Sequence, residues 1–180
     1  TAAFIPTRLF LESMQDDWRS TEDVAAVYAM GGATFGATNV TAGLRYERTE
    51  YENRGNQVAG TTATAVRRGR SYDNYLPGVY FRHTLDKQTI LRASWSNSLA
   101  RPSFDDSALR RSVDLAASRV TEGNPRLKAL ESVNWDASVE RYLPSLGLLS
   151  AAVFQKDIAN FTYQRTLPGG DPETGYPLAT

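Results

Sequence analysis

The sequence contains no cysteine, which excludes a disulfide framework, a thiolate nucleophile and zinc-finger ligation. It has one histidine, His83, and no second imidazole or thiol with which to share a metal. It has no net charge, because twenty basic residues balance twenty acidic ones, so nothing draws the chain toward nucleic acid. No apolar run approaches the ~20 residues of a membrane-spanning helix. The first residues, TAAFIPTRLF, lack a basic segment followed by an apolar one and a cleavage signal. Nucleophile-elbow spacing, a phosphate loop and paired acids at adjacent strand ends are all missing. The expectation is a protein that is not an enzyme and takes neither a cofactor nor a metal.

What is present is alternation. At 180 residues and 41% hydrophobic content the chain is long enough for one domain. Its apolar residues recur with period two, the mark of a strand with one greasy face. In Ser71 to Pro102, Leu91, Ala93 and Trp95 alternate with Arg92, Ser94 and Ser96 after a tight turn at Leu85-Asp86-Lys87-Gln88. Tyr75, Pro77, Val79 and Phe81 share a face on the strand before it, opposite Tyr80 and Arg82. Val40, Ala42, Leu44 and Tyr46 oppose Thr41, Gly43, Arg45, Glu47 and Thr49; Val133, Trp135, Ala137 and Val139 oppose Asn134, Asp136, Ser138 and Glu140. An earlier strand begins near Asp23, with Val24, Ala26, Tyr28 and Met30 on one face and a bulge or bend expected at Gly31-Gly32. The last runs from Leu148 to Arg165 after a turn at Pro144-Ser145-Leu146-Gly147.

Between these strands the connections alternate short and long. Glu50 to Arg70 reads as a long polar loop, Arg101 to about Leu130 as a second, and Leu167 to Thr180 as Gly- and Pro-rich turn material. The expected class is all-β, an antiparallel up-and-down sheet of about six long strands. A soluble antiparallel β-sandwich binding module would also alternate. Three features favour part of a transmembrane β-barrel instead. The strands reach about 12 residues, against ~5–6 in globular sheets and the ~9–11 that cross a bilayer at a tilt. The short turns fall at one end and the long loops at the other, as in outer-membrane barrels. Charges at Arg45, Glu47, Arg92, Asp136, Glu140 and Lys156 stand on the faces opposite the apolar sets, where a lumen tolerates them. A mean hydropathy of −0.42 does not oppose this, because every second barrel residue faces away from lipid. Six strands cannot close even the smallest such barrel, which needs ~8, so a fragment of a larger barrel is expected.

Several stretches resemble the C-terminal barrel of TonB-dependent outer-membrane receptors of the Caulobacter and Xanthomonas type. They include Ala42-Gly43-Leu44-Arg45-Tyr46-Glu47-Arg48, Tyr75-Leu76-Pro77-Gly78, Leu91-Arg92-Ala93-Ser94-Trp95-Ser96-Asn97-Ser98-Leu99-Ala100-Arg101-Pro102 and, most distinctively, Gly123-Asn124-Pro125-Arg126-Leu127-Lys128. The resemblance covers nearly everything from residue 22 to residue 165. It implies a barrel of about 22 strands around an N-terminal plug, importing a scarce nutrient, a carbohydrate or a siderophore, across the Gram-negative outer membrane. Residues 1–22 would then form an extracellular loop, 23–165 six strands and 166–180 the start of the next extracellular loop. The plug domain, the TonB box, a signal peptide and a terminal aromatic strand are expected to be absent from these residues. Implied partners are outer-membrane lipid, the remainder of the barrel and its plug, the TonB–ExbB–ExbD complex through the parent's TonB box, and a small nutrient ligand, with no nucleic acid.

By the same resemblance, ligand-binding groups collect at the extracellular mouth. Candidates there are Arg101, Asp105, Arg110, Arg111 and Asn124. Trp95, Trp135 and Tyr46 are expected to face lipid or form an aromatic girdle. Other conspicuous groups have plainer readings: His83 as an interfacial polar residue, and Asp16-Asp17, Asp105-Asp106 and Arg67-Arg68-Gly69-Arg70 as solvated loop charges.

Overall fold

A computed structural model describes residues 13–14, 17–59, 62–109, 111–114, 117–145, 147–168, 170 and 177–179. Its frame is one six-stranded antiparallel sheet. The strands are β1 (Arg19–Phe35), β2 (Thr38–Ala59), β3 (Thr62–Thr84), β4 (Thr89–Ala100), β7 (Leu130–Leu143) and β8 (Gly147–Ala159), paired in that order. Between β4 and β7 lie a single helical turn, α1 (Phe104–Ser107), and two short strands, β5 (Arg111–Asp114) and β6 (Arg119–Glu122). The latter join β9 (Thr166–Leu167) and β10 (Leu178–Ala179) in a second sheet, in the order β5-β6-β10-β9. The all-β, up-and-down arrangement of six long strands is as the alternation implies.

Tight turns close one end of the large sheet. Gly36, between β1 and β2, has φ +58°, and Gly147, at the start of β8, has φ +89°, where a side chain would be strained. Between β3 and β4, Asp86 Oδ1 accepts from the backbone N–H of Gln88 (2.7 Å) and Thr89 (2.8 Å). Those bonds favour the ionised carboxylate and hold Asp86 below the usual range.

The sheet has two unlike faces. Cross-strand pairing puts Ala42, Val79, Trp95 and Trp135 in one row, and Val40, Phe81, Ala93, Ala137 and Val153 in the next. Tyr46 and Tyr75 pair farther along the same face, their rings 5.2 Å apart; the Trp95 and Trp135 rings meet tilted at 5.9 Å. The first charges on this face of β2 and β3 are Arg48 and Asp73, one row beyond the tyrosines. Nothing covers it: Val27 and Tyr75 are each 65% exposed and Val153 is 70% exposed. A soluble sandwich would bury those side chains under a second layer.

The buried residues of the sheet are polar. Among the described residues the buried hydrophobic ones are Ala108, Val120 and Ala129, all between β4 and β7. Within the sheet the buried side chains include Glu47, Thr49, Asn53, Asn74, Ser132 and Asn134. The sheet therefore lacks a hydrophobic core of its own, and its large apolar surface faces outward.

Several strands depart from the sequence reading. Glu50 to Arg70 is not a loop. β2 and β3 stay paired from Thr38↔His83 to Ala59↔Thr62 without a break. The extension is polar on both faces, so no hydrophobic period announces it. It stands on backbone hydrogen bonds and on Glu52, which takes Arg54 on one carboxylate oxygen and Arg67 on the other. These two guanidiniums, Arg54 first, lower the Glu52 pKa. Gly31-Gly32 makes no bulge, because pairing runs on through Met30↔Gly43, Gly31↔Ala42 and Gly32↔Thr41. A Cβ on Gly43 would lie 3.1 Å from Met30 Cβ and 3.2 Å from Ala29 O, so glycine there lets β1 and β2 approach closely. β1 begins at Arg19 rather than Asp23, where pairing with the extended β2 recruits polar residues. β8 ends at Ala159 rather than Arg165: Asn160 takes φ +56° and its amide donates to Ala129 O (3.1 Å), turning the chain. In β1, the set Val24, Ala26, Tyr28 and Met30 shares its face with Arg45 and Glu47, while Ala25, Val27 and Ala29 take the bare side.

Candidate functional site

The long connection between β4 and β7 folds back over the polar face of β1 and β2. Arg101, the first residue after β4, begins it. Its Nη2 donates to Glu47 Oε2 (2.5 Å) and Thr49 Oγ1 (3.1 Å), and its Nε lies 3.1 Å from Glu22 Oε1. Glu47 also accepts from Arg45 Nε (2.6 Å). One guanidinium thus ties two neighbouring strands to the loop, and Thr49 beneath it is fully buried.

Two residues on, Ser103 caps α1, its Oγ accepting from the Asp106 N–H (3.1 Å). The turn ends at Ser107, which is anchored twice: Tyr51 Oη and Ser107 Oγ are 2.6 Å apart, and Asn53 Nδ2 donates to Ser107 O (2.5 Å). Ser20 joins the same network through Asn53. Phe104 stacks near Tyr51 at 6.3 Å.

The Gly123-Asn124-Pro125 motif clamps the far side. A Cβ on Gly123 would come within 2.5 Å of Ala108 O and 3.0 Å of Asp105 O, so only glycine permits this approach. The Asn124 N–H donates to Asp106 O (2.6 Å), and its side-chain Oδ1 accepts from the Arg126 N–H (3.0 Å). Between this clamp, α1 and the segment leaving β8 opens a cavity of about 700 Å³. Asp105, Asp106, Glu122 and Asn124 line one side; Phe161, Tyr163, Gln164 and Arg165 line the other.

The five candidates of the sequence reading therefore separate. Asp105 and Asn124 reach the cavity. Arg101 is engaged on the sheet, and Arg111 Nε lies 3.4 Å from Glu122 Oε1. Arg110 lies outside the described residues. Elsewhere, Thr38 Oγ1 and His83 Nδ1 are 2.8 Å apart at the short-turn end, and no cluster of metal-ligating side chains occurs among the described residues. The sequence puts Glu47 and Thr49 on the polar face with Arg45 but marks neither of them, nor Glu22, Tyr51, Asn53 or Ser107, as part of the site. The same alternation, continued past Thr49, places Tyr51 and Asn53 on that face.

The sequence matches the family described as "TonB dependent receptor-like, beta-barrel" over residues 4–180. The chain belongs to the TonB-dependent receptor family. Proteins of this family are receptors and transporters rather than enzymes, and homologous barrels are Gram-negative outer-membrane proteins. The chain is similar to the hemophore receptor HasR of Serratia marcescens, whose structure holds the hemophore HasA and heme: 18% identity, TM-score 0.65, over 88% of this chain and 29% of that one. It is also similar to the copper transporter OprC (16% identity, TM-score 0.63, 89% of this chain and 24% of that one). The ferric yersiniabactin uptake receptor FyuA of Yersinia pestis is 12% identical with TM-score 0.57, over 78% of this chain and 21% of that one. The chain spans less than a third of each of these barrel proteins. No curated protein matches the sequence. The bare apolar face and the outward tryptophans fit a TonB-dependent barrel wall.

Proposed function

We propose that this chain is part of an outer-membrane receptor that captures a scarce nutrient, a carbohydrate or a siderophore, and imports it into the periplasm of a Gram-negative bacterium. The observation that carries this reading is the inside-out character of the large sheet. One face is bare and apolar over the height of a bilayer: β4, 12 residues long, spans about 28 Å at a tilt of ~45° with ~3.3 Å per residue. The other face carries the sheet's buried polar side chains and, at its loop end, is roofed by a folded loop with a cavity at its edge, while Tyr28, Met30 and Phe154 stay exposed on it. In this arrangement the short turns are periplasmic, and residues 1–22, the β2–β3 extension, residues 101–129 and the chain after β8 are extracellular. The free edges of β1 and β8 pair with the rest of the barrel, because an unpaired edge in lipid leaves backbone groups unsatisfied. Lipid covers the bare face, a plug belongs against the polar one, and TonB–ExbB–ExbD drives transport through the parent protein.

Cargo remains a choice between classes. HasR, OprC and FyuA are named for heme, copper and a ferric siderophore respectively, so the shared fold does not select one. Asp105 and Asn124, which line the cavity, are the two candidates proposed to touch cargo. The test is uptake of labelled oligosaccharides and ferric siderophores by cells expressing the full-length receptor, with and without TonB. Import of one class that disappears without TonB, and is weakened by Asp105→Ala or Asn124→Ala, is expected. Failure of both classes to enter in a TonB-dependent way overturns the reading.

A further inference from the structure

We infer that Arg101 is a latch rather than a ligand contact: it pins the start of the loop after β4, residues 101–109, onto the polar wall as a preset roof, and it positions the cavity-lining Asp105 and Asn124 without touching what binds there. The chain of contacts is continuous. Arg101 grips Glu47 on β2 and Glu22 on β1 from the first residue of the loop. Six residues later Tyr51 and Asn53, on the same face of β2, hold the end of α1 through Ser107. Asp106 O then receives the Asn124 N–H, and Gly123 sits against the carbonyls of Asp105, Asp106 and Ala108. Three sets of contacts, joined along β2 and along α1 by the backbone itself, thus lead from Arg101 on the wall to Asn124 at the cavity.

The chemistry favours a latch over a binding group. Both carboxylates lie within ion-pair distance of one guanidinium, and Glu47 has only 7% of its surface exposed. An anionic ligand would have to displace Glu47, which Arg45 also holds, and would leave a buried carboxylate short of a partner. Lysine could answer one of these acids but not span both, because an ammonium lacks the planar fork. The inference borrows from the import reading only for its consequence, the shape of the mouth. Its test needs no cargo.

That test uses the full-length receptor in the outer membrane with Thr49→Cys as reporter, since Thr49 is fully buried beneath Arg101. Glu50→Cys, exposed on the opposite face, is the control. A bulky membrane-impermeant maleimide should label position 49 slowly in the otherwise unaltered receptor and at least about tenfold faster with Arg101→Ala, while position 50 is unchanged. Arg101→Lys should fall between. Combining Arg101→Ala with Glu47→Gln should accelerate labelling no further than Arg101→Ala alone, because the arginine's contact with Glu47 is already lost. Should Arg101→Ala block assembly, Arg101→Lys and Glu22→Gln each remove one arm and are expected to give intermediate rates. Labelling of position 49 that ignores all of these changes overturns the latch, as does full additivity of the Arg101 and Glu47 effects.

Discussion

The two ends of the six-stranded sheet are built from the same strands by opposite means. At the short-turn end, Gly36, the Asp86 turn and Gly147 reverse the chain within a few residues, and local geometry suffices. At the loop end the strands run on past the apolar belt, and long-range polar contacts hold everything: Arg101 to Glu47 and Glu22, Ser107 to Tyr51 and Asn53, Asn74 to Glu131 (2.8 Å). Local turn chemistry costs little sequence and leaves a plain signal. Polar contacts between residues fifty apart leave almost none.

The apolar belt lies between the two ends, and the largest effect is expected there. Ala93→Arg on the bare face should destabilise the receptor in bilayers by about 2–4 kcal/mol, whereas Ser94→Arg on the opposite face should change little. Denaturant titration of the full-length receptor in lipid vesicles measures both, and equal effects would remove the distinction between the faces. Next, Gly123→Ala should cost about 1–3 kcal/mol, because its methyl would overlap the Ala108 carbonyl. Faster amide exchange in α1 but not in the β3–β4 turn would show that the damage stays at the loop end.

Removing single anchors should do less. Tyr51→Phe or Asn53→Ala each takes away a contact to Ser107 and should cost about 1 kcal/mol, again read as exchange in α1. The smallest effect belongs to the short-turn end. Asp86 has its pKa depressed in the folded state by the Gln88 and Thr89 donors. Its contribution is therefore fully present above the ordinary carboxylate value of about 3.9 and fades as pH falls through the lower folded value. Asp86→Asn should flatten that acid limb slightly and leave loop-end exchange untouched. A shift at the loop end instead would mean that the two ends are coupled.

Much of the frame is legible from residue order because lipid or solvent on one face and a polar interior on the other impose a strict period of two. Val40 to Glu47, Leu91 to Ser96 and Val133 to Glu140 each show it. Where both faces are polar, as from Glu50 to Arg70, the period vanishes while the backbone pairing persists, so a strand reads as a loop. In β1 both faces carry apolar or small residues, and only the register against β2 assigns Val27 to the bare side and Tyr28 to the roofed one.

The site was less legible for a related reason. Arg101, Asp105 and Asn124 are conspicuous because they sit beside turn-forming residues in a long connection, but what each does depends on contacts eighteen or more residues away. Alternation, the rhythm of short and long connections, and the Gly123-Asn124-Pro125 motif are properties of neighbouring residues, so the sequence by itself determined an antiparallel, two-faced sheet that belongs in a barrel. Whether Arg101 faces a ligand or a carboxylate is a matter of which strands the loop folds against. Only the tertiary structure brings Glu22, Glu47 and Ser107 to one side of the wall, and burial there makes their pairing decisive.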